Sequence, residues 1–375
     1  MTRVAFVDQQ GDAAGGAEES LALLLRFLPP SLKPIAVFFR DGAFARRVRE
    51  SGIDVEICEI APALARVQRE HPMRAALTSM PSAVTSLSRL YKRIQADVVY
   101  TNTIKAHVLA APAARMRGLA TVCHLRDLLE GTGRALVRPV LATCSTQRVA
   151  ISQAVAQCYG LRNTHVIPNP LDLPSYDDLP DRMKARAALG IDWDGPLVGI
   201  VGRINRWKGH DRFLRIARRV REELDCRFVV VGDAIFRDLD FADELRATVR
   251  SLGLLDAVSF VPWLDDPRIA YAALDVLANC STREPFGRTT IEAAAAGRPT
   301  VCFDDGGARE GVIDGTTGHV VRAGDETAFA RALLSLLSSP EAARTAGSLA
   351  RTHAQTYAAP LHAARVASII QTLVA

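Results

Sequence analysis

Two cations, Arg203 and Lys208, stand five residues apart in Val198-Gly199-Ile200-Val201-Gly202-Arg203-Ile204-Asn205-Arg206-Trp207-Lys208-Gly209. Positions i and i+5 diverge on a helix, so the pair converges only from a loop. The apolar run ending at Gly202 puts that loop at the carboxyl end of a strand, where open α/β sheets bind ligands. A planar guanidinium beside a point-charge ammonium suits a diphosphate, although two basic residues in an exposed loop are also commonplace. Further along, Ser281-Thr282-Arg283-Glu284-Pro285-Phe286-Gly287-Arg288-Thr289-Thr290-Ile291-Glu292 carries two carboxylates eight residues apart. Gly287 permits close backbone approach, and Thr289 or Thr290 is expected to cap the helix that follows. A helix start attracts anions, and an ionised carboxylate accepts two hydroxyls, as a ribose or hexose diol would offer. Taken singly, this segment also fits a proline turn and a helix start with favourable acids.

The elements that must position these groups alternate. Val4–Asp8, Ile35–Phe39, Val55–Ile57, Val98–Tyr100, Thr121–Cys123, Val149–Ile151 and His165–Ile167 are short apolar runs rich in β-branched residues. Most are separated by helix-length segments, so they predict parallel strands with crossover helices. From Pro168 to Pro180 the chain holds four prolines and three aspartates, and this texture predicts a linker over 171–181. Alternation then resumes with strands at Leu197–Val201, Phe228–Val231, Val258–Val261, Val276–Ala278, Thr300–Phe303 and His319–Val321. The expected architecture is α/β: two doubly wound, Rossmann-like domains, 1–170 and 182–357. Segment 358–375 should form a closing helix.

Composition excludes several classes. Of the 375 residues 49% are apolar, enough for two cores, and no run of about 18 apolar residues predicts a membrane span. Seven scattered cysteines with no CxxC pair argue against a disulfide framework or a structural zinc site, so a soluble, reduced, cytoplasmic protein is expected. A net charge of +5 is too mild to imply nucleic acid. The excess concentrates between Leu64 and Ile94, where Arg66, Arg69, Arg74, Arg89, Lys92 and Arg93 face Glu70 alone among helically spaced apolar residues. A helix pair packed on a sheet is the favoured reading of this stretch, and peripheral membrane contact the other. Asp192-Trp193-Asp194 and Asp238-Leu239-Asp240 do not follow strands and are read as chance, with no metal expected. No G-x-G-x-x-G, Walker or G-x-S-x-G motif is present.

The succession of the Arg203–Lys208 loop, the Glu284–Glu292 segment, Gly306-Gly307-Ala308-Arg309-Glu310 and Asp314-Gly315-Thr316-Thr317-Gly318 resembles the retaining GT-B glycosyltransferases of family 4. Gly15-Gly16-Ala17-Glu18, His124-Leu125-Arg126-Asp127, Ile151-Ser152-Gln153-Ala154 and Val166-Ile167-Pro168-Asn169 match that family's landmarks in the first half. The resemblance implies a nucleotide-sugar donor, UDP- or GDP-linked, held by the second domain. The first would hold a hydroxyl acceptor, whether lipid-linked, glycan or small metabolite. It implies that Arg203 and Lys208, after Gly202, bind the diphosphate, that Glu284 contacts the sugar hydroxyls and that Glu292 binds the ribose. Phe286-Gly287, with Arg288 and Thr289, would lie against sugar and phosphates. Gly16 would approach the reaction centre, and His124 would face the transferred sugar. The closing helix 358–375 would pack toward the first domain, and no separate cofactor is implied. Arg288 departs from the aliphatic residue common at its position. Retention in the family is explained by front-face attack, with Glu284 as a covalent nucleophile the rival. A nucleotide-sugar epimerase and a non-catalytic glycosyltransferase-like partner are the alternative functions, and intact Arg203, Lys208, Glu284 and Glu292 count against the second. Lys208→Ala is expected to abolish transfer while leaving melting near wild type.

Overall fold

The computed structural model describes residues 1–12, 15–60, 74–234 and 238–374. The chain forms two compact units, Met1–Pro170 with Ala359–Ala375, and Leu171–Ala358. In the first, β1 (Thr2–Asp8), β2 (Leu32–Phe38), β3 (Asp54–Ile57), β4 (Val98–Thr101), β5 (Ala120–Leu125), β6 (Gln147–Ala150) and β7 (Thr164–Val166) make one sheet in the order β3-β2-β1-β4-β5-β6-β7. Every neighbouring pair is parallel. A parallel sheet is covered on both faces, which is why its central strands β1 and β4 are mostly apolar and buried, while the edge strands β3 and β7 carry polar residues. Along β1 the side chains alternate. Val4 and Phe6 pack with Leu21, Leu24 and Leu25 of helix Gly16–Arg26 and with Ala363, Val366 and Ile370 of helix Ala359–Gln371. Ala5 and Val7 pack on the other face with Leu87, Leu90 and Tyr91 of helix Arg74–Arg93 and with Leu109 and Ala113 of helix Ile104–Arg115.

The second unit has β8 (Leu197–Val201), β9 (Arg227–Val231), β10 (Val258–Val261), β11 (Val276–Asn279), β12 (Thr300–Asp304) and β13 (Gly318–Arg322), again all parallel, ordered β10-β9-β8-β11-β12-β13. Phe213, Leu214 and Ala217 of helix His210–Arg221 and Phe329 and Leu333 of helix Glu326–Leu337 cover one face. In each sheet the order reverses beside the first strand, between β1 and β4 and between β8 and β11. Loops at those two points splay apart and leave space for a ligand.

One expectation is modified. Residues 171–181 are not an open linker but the first part of the second unit. Leu171 is buried and its N–H donates to the Tyr357 carbonyl at 2.8 Å, and Leu173–Tyr176 forms a 3-10 turn that buries Tyr176. Proline-rich sequence thus makes a turn here, because its apolar side chains find a core. Of the basic stretch 64–94, residues 64–73 lie outside the described residues. From Ser79 onward it is a helix packed on the sheet, with Ala83, Leu87 and Leu90 buried and Arg89, Lys92 and Arg93 exposed. Among the described residues no helix is long and apolar enough to cross a membrane.

Candidate functional site

In the second unit the loops after β8, β11 and β12 meet. The β8 backbone continues past its end, with Gly202 N–H on the Val231 carbonyl and Ile204 N–H on the Asp233 carbonyl, both at 2.9 Å. Asn205 then accepts from the Lys208 N–H through its side chain at 3.2 Å, closing the 3-10 turn Arg206–Lys208. Gly209, at φ +73°, launches helix His210–Arg221, and a Cβ there would lie 2.1 Å from the Cys280 carbonyl oxygen. This sharp turn aims Lys208 back across the sheet end. Its Nζ sits 2.6 Å from Glu284 Oε2 and 4.2 Å from the centroid of the Trp207 ring. Arg203 is exposed and has no ion pair among the described residues.

Glu284 is fixed by its backbone. Its N–H donates to the Asp305 carbonyl at 3.1 Å, and its own carbonyl accepts from Gly307 N–H at 2.6 Å. Arg283 just before it adopts φ 51°, a left-handed conformation that costs a non-glycine residue about 1–2 kcal/mol. With side-chain exposures of 17% and 7%, Lys208 and Glu284 form a largely buried ion pair. Removing one partner would leave the other charge poorly solvated, so Lys208→Ala should also lower stability. That contact spans 76 residues of chain, and no local pattern announces it.

Gly287 (φ +82°) is the cap of helix Arg288–Ala295, so Thr289 and Thr290 lie inside the helix rather than capping it. Thr290 Oγ1 accepts from Asn279 Nδ2 at 3.2 Å, while Thr289 lines a small cavity with Lys208, Asn279 and Ser281. Phe286 is buried against the Tyr357 ring. Glu292 accepts from the Tyr271 hydroxyl and from Arg288 Nε, each at 2.6 Å. Burial, then the Glu292 charge, pushes the Tyr271 phenol well above its usual range, so it stays a donor. A carboxylate has about four lone-pair positions, so Glu292 keeps capacity for a diol. Among the described residues no three His, Cys, Asp or Glu side chains are grouped to hold a metal ion.

The first unit gathers a second polar cluster at the carboxyl ends of β1, β4 and β5. Asn102 Nδ2 donates to Asp8 Oδ2 at 2.6 Å, and Arg126 donates to Asn102 Oδ1 at 2.8 Å and to Asn169 Oδ1 at 2.6 Å. His124 is fully buried. Its Nδ1 lies 2.6 Å from the Tyr100 hydroxyl and 3.1 Å from Arg126 Nη2. A guanidinium only donates, so Nδ1 accepts and the imidazole proton sits on Nε2. Burial, then Arg126, holds this histidine well below its usual pKa, hence neutral. Its Nε2 has no partner among the described residues, and the His362 ring stacks on it at 5.9 Å. Gly16 is the exposed first residue of helix Gly16–Arg26, and Glu18 folds back to accept from Gly15 N–H at 2.9 Å. Burial, then the nearby Glu18 charge, pushes Asp8 up to about 7. Asp8, Asn102 and His362 escaped sequence reasoning. The usable signal for the first two was a polar residue closing or directly following an apolar strand.

Residues 181–353 match the family model of glycosyl transferases group 1, and residues 15–174 that of glycosyltransferase family 4. A D-inositol 3-phosphate glycosyltransferase of Rhodococcus erythropolis is 35% identical over 213 residues, covering 55% of this chain and 48% of that protein. A protein of the same name from Segniliparus rotundus is 31% identical over 265 residues, covering 70% and 58%. The chain thus spans about half the length of the curated relatives it matches. Among solved structures, Anabaena HepE in complex with UDP and glucose matches with a TM-score of 0.85 at 26% identity, covering 99% of this chain and 100% of that one. Sucrose-phosphate synthase from Thermosynechococcus elongatus gives 0.81 at 19% identity, over 100% and 99%, a likeness of fold.

Proposed function

Since the chain belongs to the family 4, group 1 glycosyl transferases and has their GT-B pair of Rossmann-like domains, we propose that it moves a hexose-type sugar from a nucleoside-diphosphate sugar to a hydroxyl acceptor. The observation that carries this reading is the charge arrangement at the β8–β11 switch point, where Lys208, Glu284 and Glu292 are each held by neighbours. Breaking the anomeric C–O bond puts negative charge on the departing diphosphate. An ammonium has three donors, so Lys208 can keep Glu284 and still donate to a phosphate oxygen. Held in place before reaction, it stabilises the transition state without reorganising. Arg203 is the second cation for that diphosphate. Glu284 receives sugar hydroxyls and Glu292 the ribose diol.

A carboxylate already paired with Lys208 is a poor nucleophile, which supports front-face attack with retention. The acceptor oxygen forms its bond on the face the diphosphate leaves, and its proton passes to the diphosphate oxygen. No metal takes part in this scheme. The HepE complexes with UDP and UDP-glucose favour uridine as the base.

The test is calorimetric titration of UDP, GDP, ADP and dTDP into wild type and Lys208→Ala, followed by turnover of UDP-glucose. Selective UDP binding that weakens in the variant is expected. If no nucleotide binds wild type, the donor site is wrong.

A further inference from the structure

We infer that Trp207 is a positioning residue for the leaving diphosphate: its indole face holds the Lys208 ammonium in place without neutralising it. The inference rests on the transferase reading above. Lys208 Nζ lies 4.2 Å from the centre of the Trp207 ring and 2.6 Å from Glu284 Oε2. The carboxylate takes one of the ammonium's N–H groups, and alone it leaves a point charge on a flexible stem loosely placed. A second acid there would cancel the charge that a phosphate has to meet. An indole face attracts a cation within about 6 Å and carries no net charge, so it fixes the ammonium and leaves it positive.

The surroundings are built around that contact. Trp207 is the middle residue of the turn Arg206–Lys208. Its carbonyl accepts from the Thr282 N–H at 2.8 Å and from the Thr282 hydroxyl at 3.1 Å. Arg212 Nη2 donates to the same hydroxyl at 3.1 Å. Thr282 stands just before Arg283 and Glu284, so the Trp207 backbone ties the loop of Lys208 to the loop of Glu284. That tie uses no indole atom and survives a change of side chain, which isolates the part played by the ring. The neighbouring cation turns away, since Arg206 stacks on Phe241 at 4.7 Å and donates to Glu244 at 2.7 Å. Trp207 is 41% exposed and the Lys208 side chain 17%, so the indole takes the solvent-facing place of the pair. Shielding an ammonium from water strengthens its hold on a phosphate oxygen.

The test changes the electron density of the ring at nearly constant shape, which a packing role would not register. Monofluoro-, difluoro- and tetrafluorotryptophan are incorporated in place of Trp207 alone, and in separate samples in place of Trp193. The Trp193 indole donates to the Pro196 carbonyl at 2.9 Å, ahead of β8 rather than beyond its carboxyl end. Trp207→Phe and Trp207→Leu complete the set. Each protein is titrated with UDP by calorimetry. UDP is the leaving group itself, so its affinity reports the charge stabilisation whatever the acceptor.

The expected result is a stepwise loss of UDP affinity with each added fluorine at Trp207, about fivefold at tetrafluorotryptophan. Trp207→Leu should lose as much, Trp207→Phe less, and the Trp193 series nothing. Equal affinity across the Trp207 fluorine series overturns the inference, even where Trp207→Leu binds weakly, because the ring would then act by packing. Tighter binding with added fluorine also overturns it, since the ring would then compete with the phosphate. No UDP binding by wild type would count against the transferase reading and take the inference with it. Strong UDP binding that is equal across the series counts against Trp207 alone.

Discussion

Lys208 and Glu284 neutralise one another at 2.6 Å in a site with little solvent, so each variant there has two effects. Lys208→Ala should lower kcat/KM at least about 100-fold, the usual loss for one preorganised donor on a developing anion. It should also cost about 2 kcal/mol of stability, because Glu284 is left desolvated and unpaired. Adding Glu284→Gln should recover most of the melting temperature and none of the activity. Equal melting of single variant and wild type would show that the pair is not buried in solution. Asp8 makes a separate prediction through pH. Its folded pKa of about 7 lies above the unfolded value near 3.8. Between those values the native state binds more protons than the unfolded one, so stability falls as pH rises from about 4 to about 7. Below about 4 both states are protonated and nothing is lost. Asp8→Asn fixes the neutral form, so its melting temperature should gain on wild type from about pH 4.5 to about pH 8. A constant difference over that range would remove the raised pKa. The cations and acids of the second domain were legible as residues because they stand in short local segments. Their pairings were not, since Lys208 meets Glu284 across 76 residues and Arg126 meets Asn169 across 43.

At the scale of elements, the turn through Gly209 decides where Lys208 points. Gly209 and Gly190 both have positive φ, +73° and +69°, but only Gly209 approaches another backbone, the Cys280 carbonyl. Gly190→Ala should therefore cost only the left-handed strain, about 1–2 kcal/mol, and leave nucleotide binding intact. Gly209→Ala must also shift the turn or the end of β11, so it should destabilise further and weaken UDP binding. Equal behaviour of the two variants in melting and in titration would show that close approach is unimportant. Most of the described strands were legible because strands buried on both faces read as short apolar runs, as β4 and β8 do. The cap of helix Arg288–Ala295 was misread for a local reason. Two threonines follow Gly287, yet the left-handed glycine ends the turn before either is reached.

At the scale of the whole molecule, the chain leaves the first unit at Pro170 and returns at Ala359, and Leu171 pairs in parallel with Ala358. The returning helix is part of the first core, through Ala363, Val366, Ala367 and Ile370, all fully or almost fully buried. Deleting the chain after Ala358 should expose Val4, Phe6 and Leu24 to water. Hydrogen exchange should then rise across β1 and helix Gly16–Arg26, while strands β8 to β13 stay protected. Uniform loss of protection in both units would show that they unfold as one. The same return sets an order on biosynthesis. A ribosome adds residues from the N-terminus onward, and domains usually fold as they emerge. Here the second domain is completed first, and the first waits with part of one face of its sheet uncovered until the helix beginning at Ala359 has been translated. For about 190 codons the nascent chain carries an unfinished apolar surface, the kind of surface that holding chaperones cover.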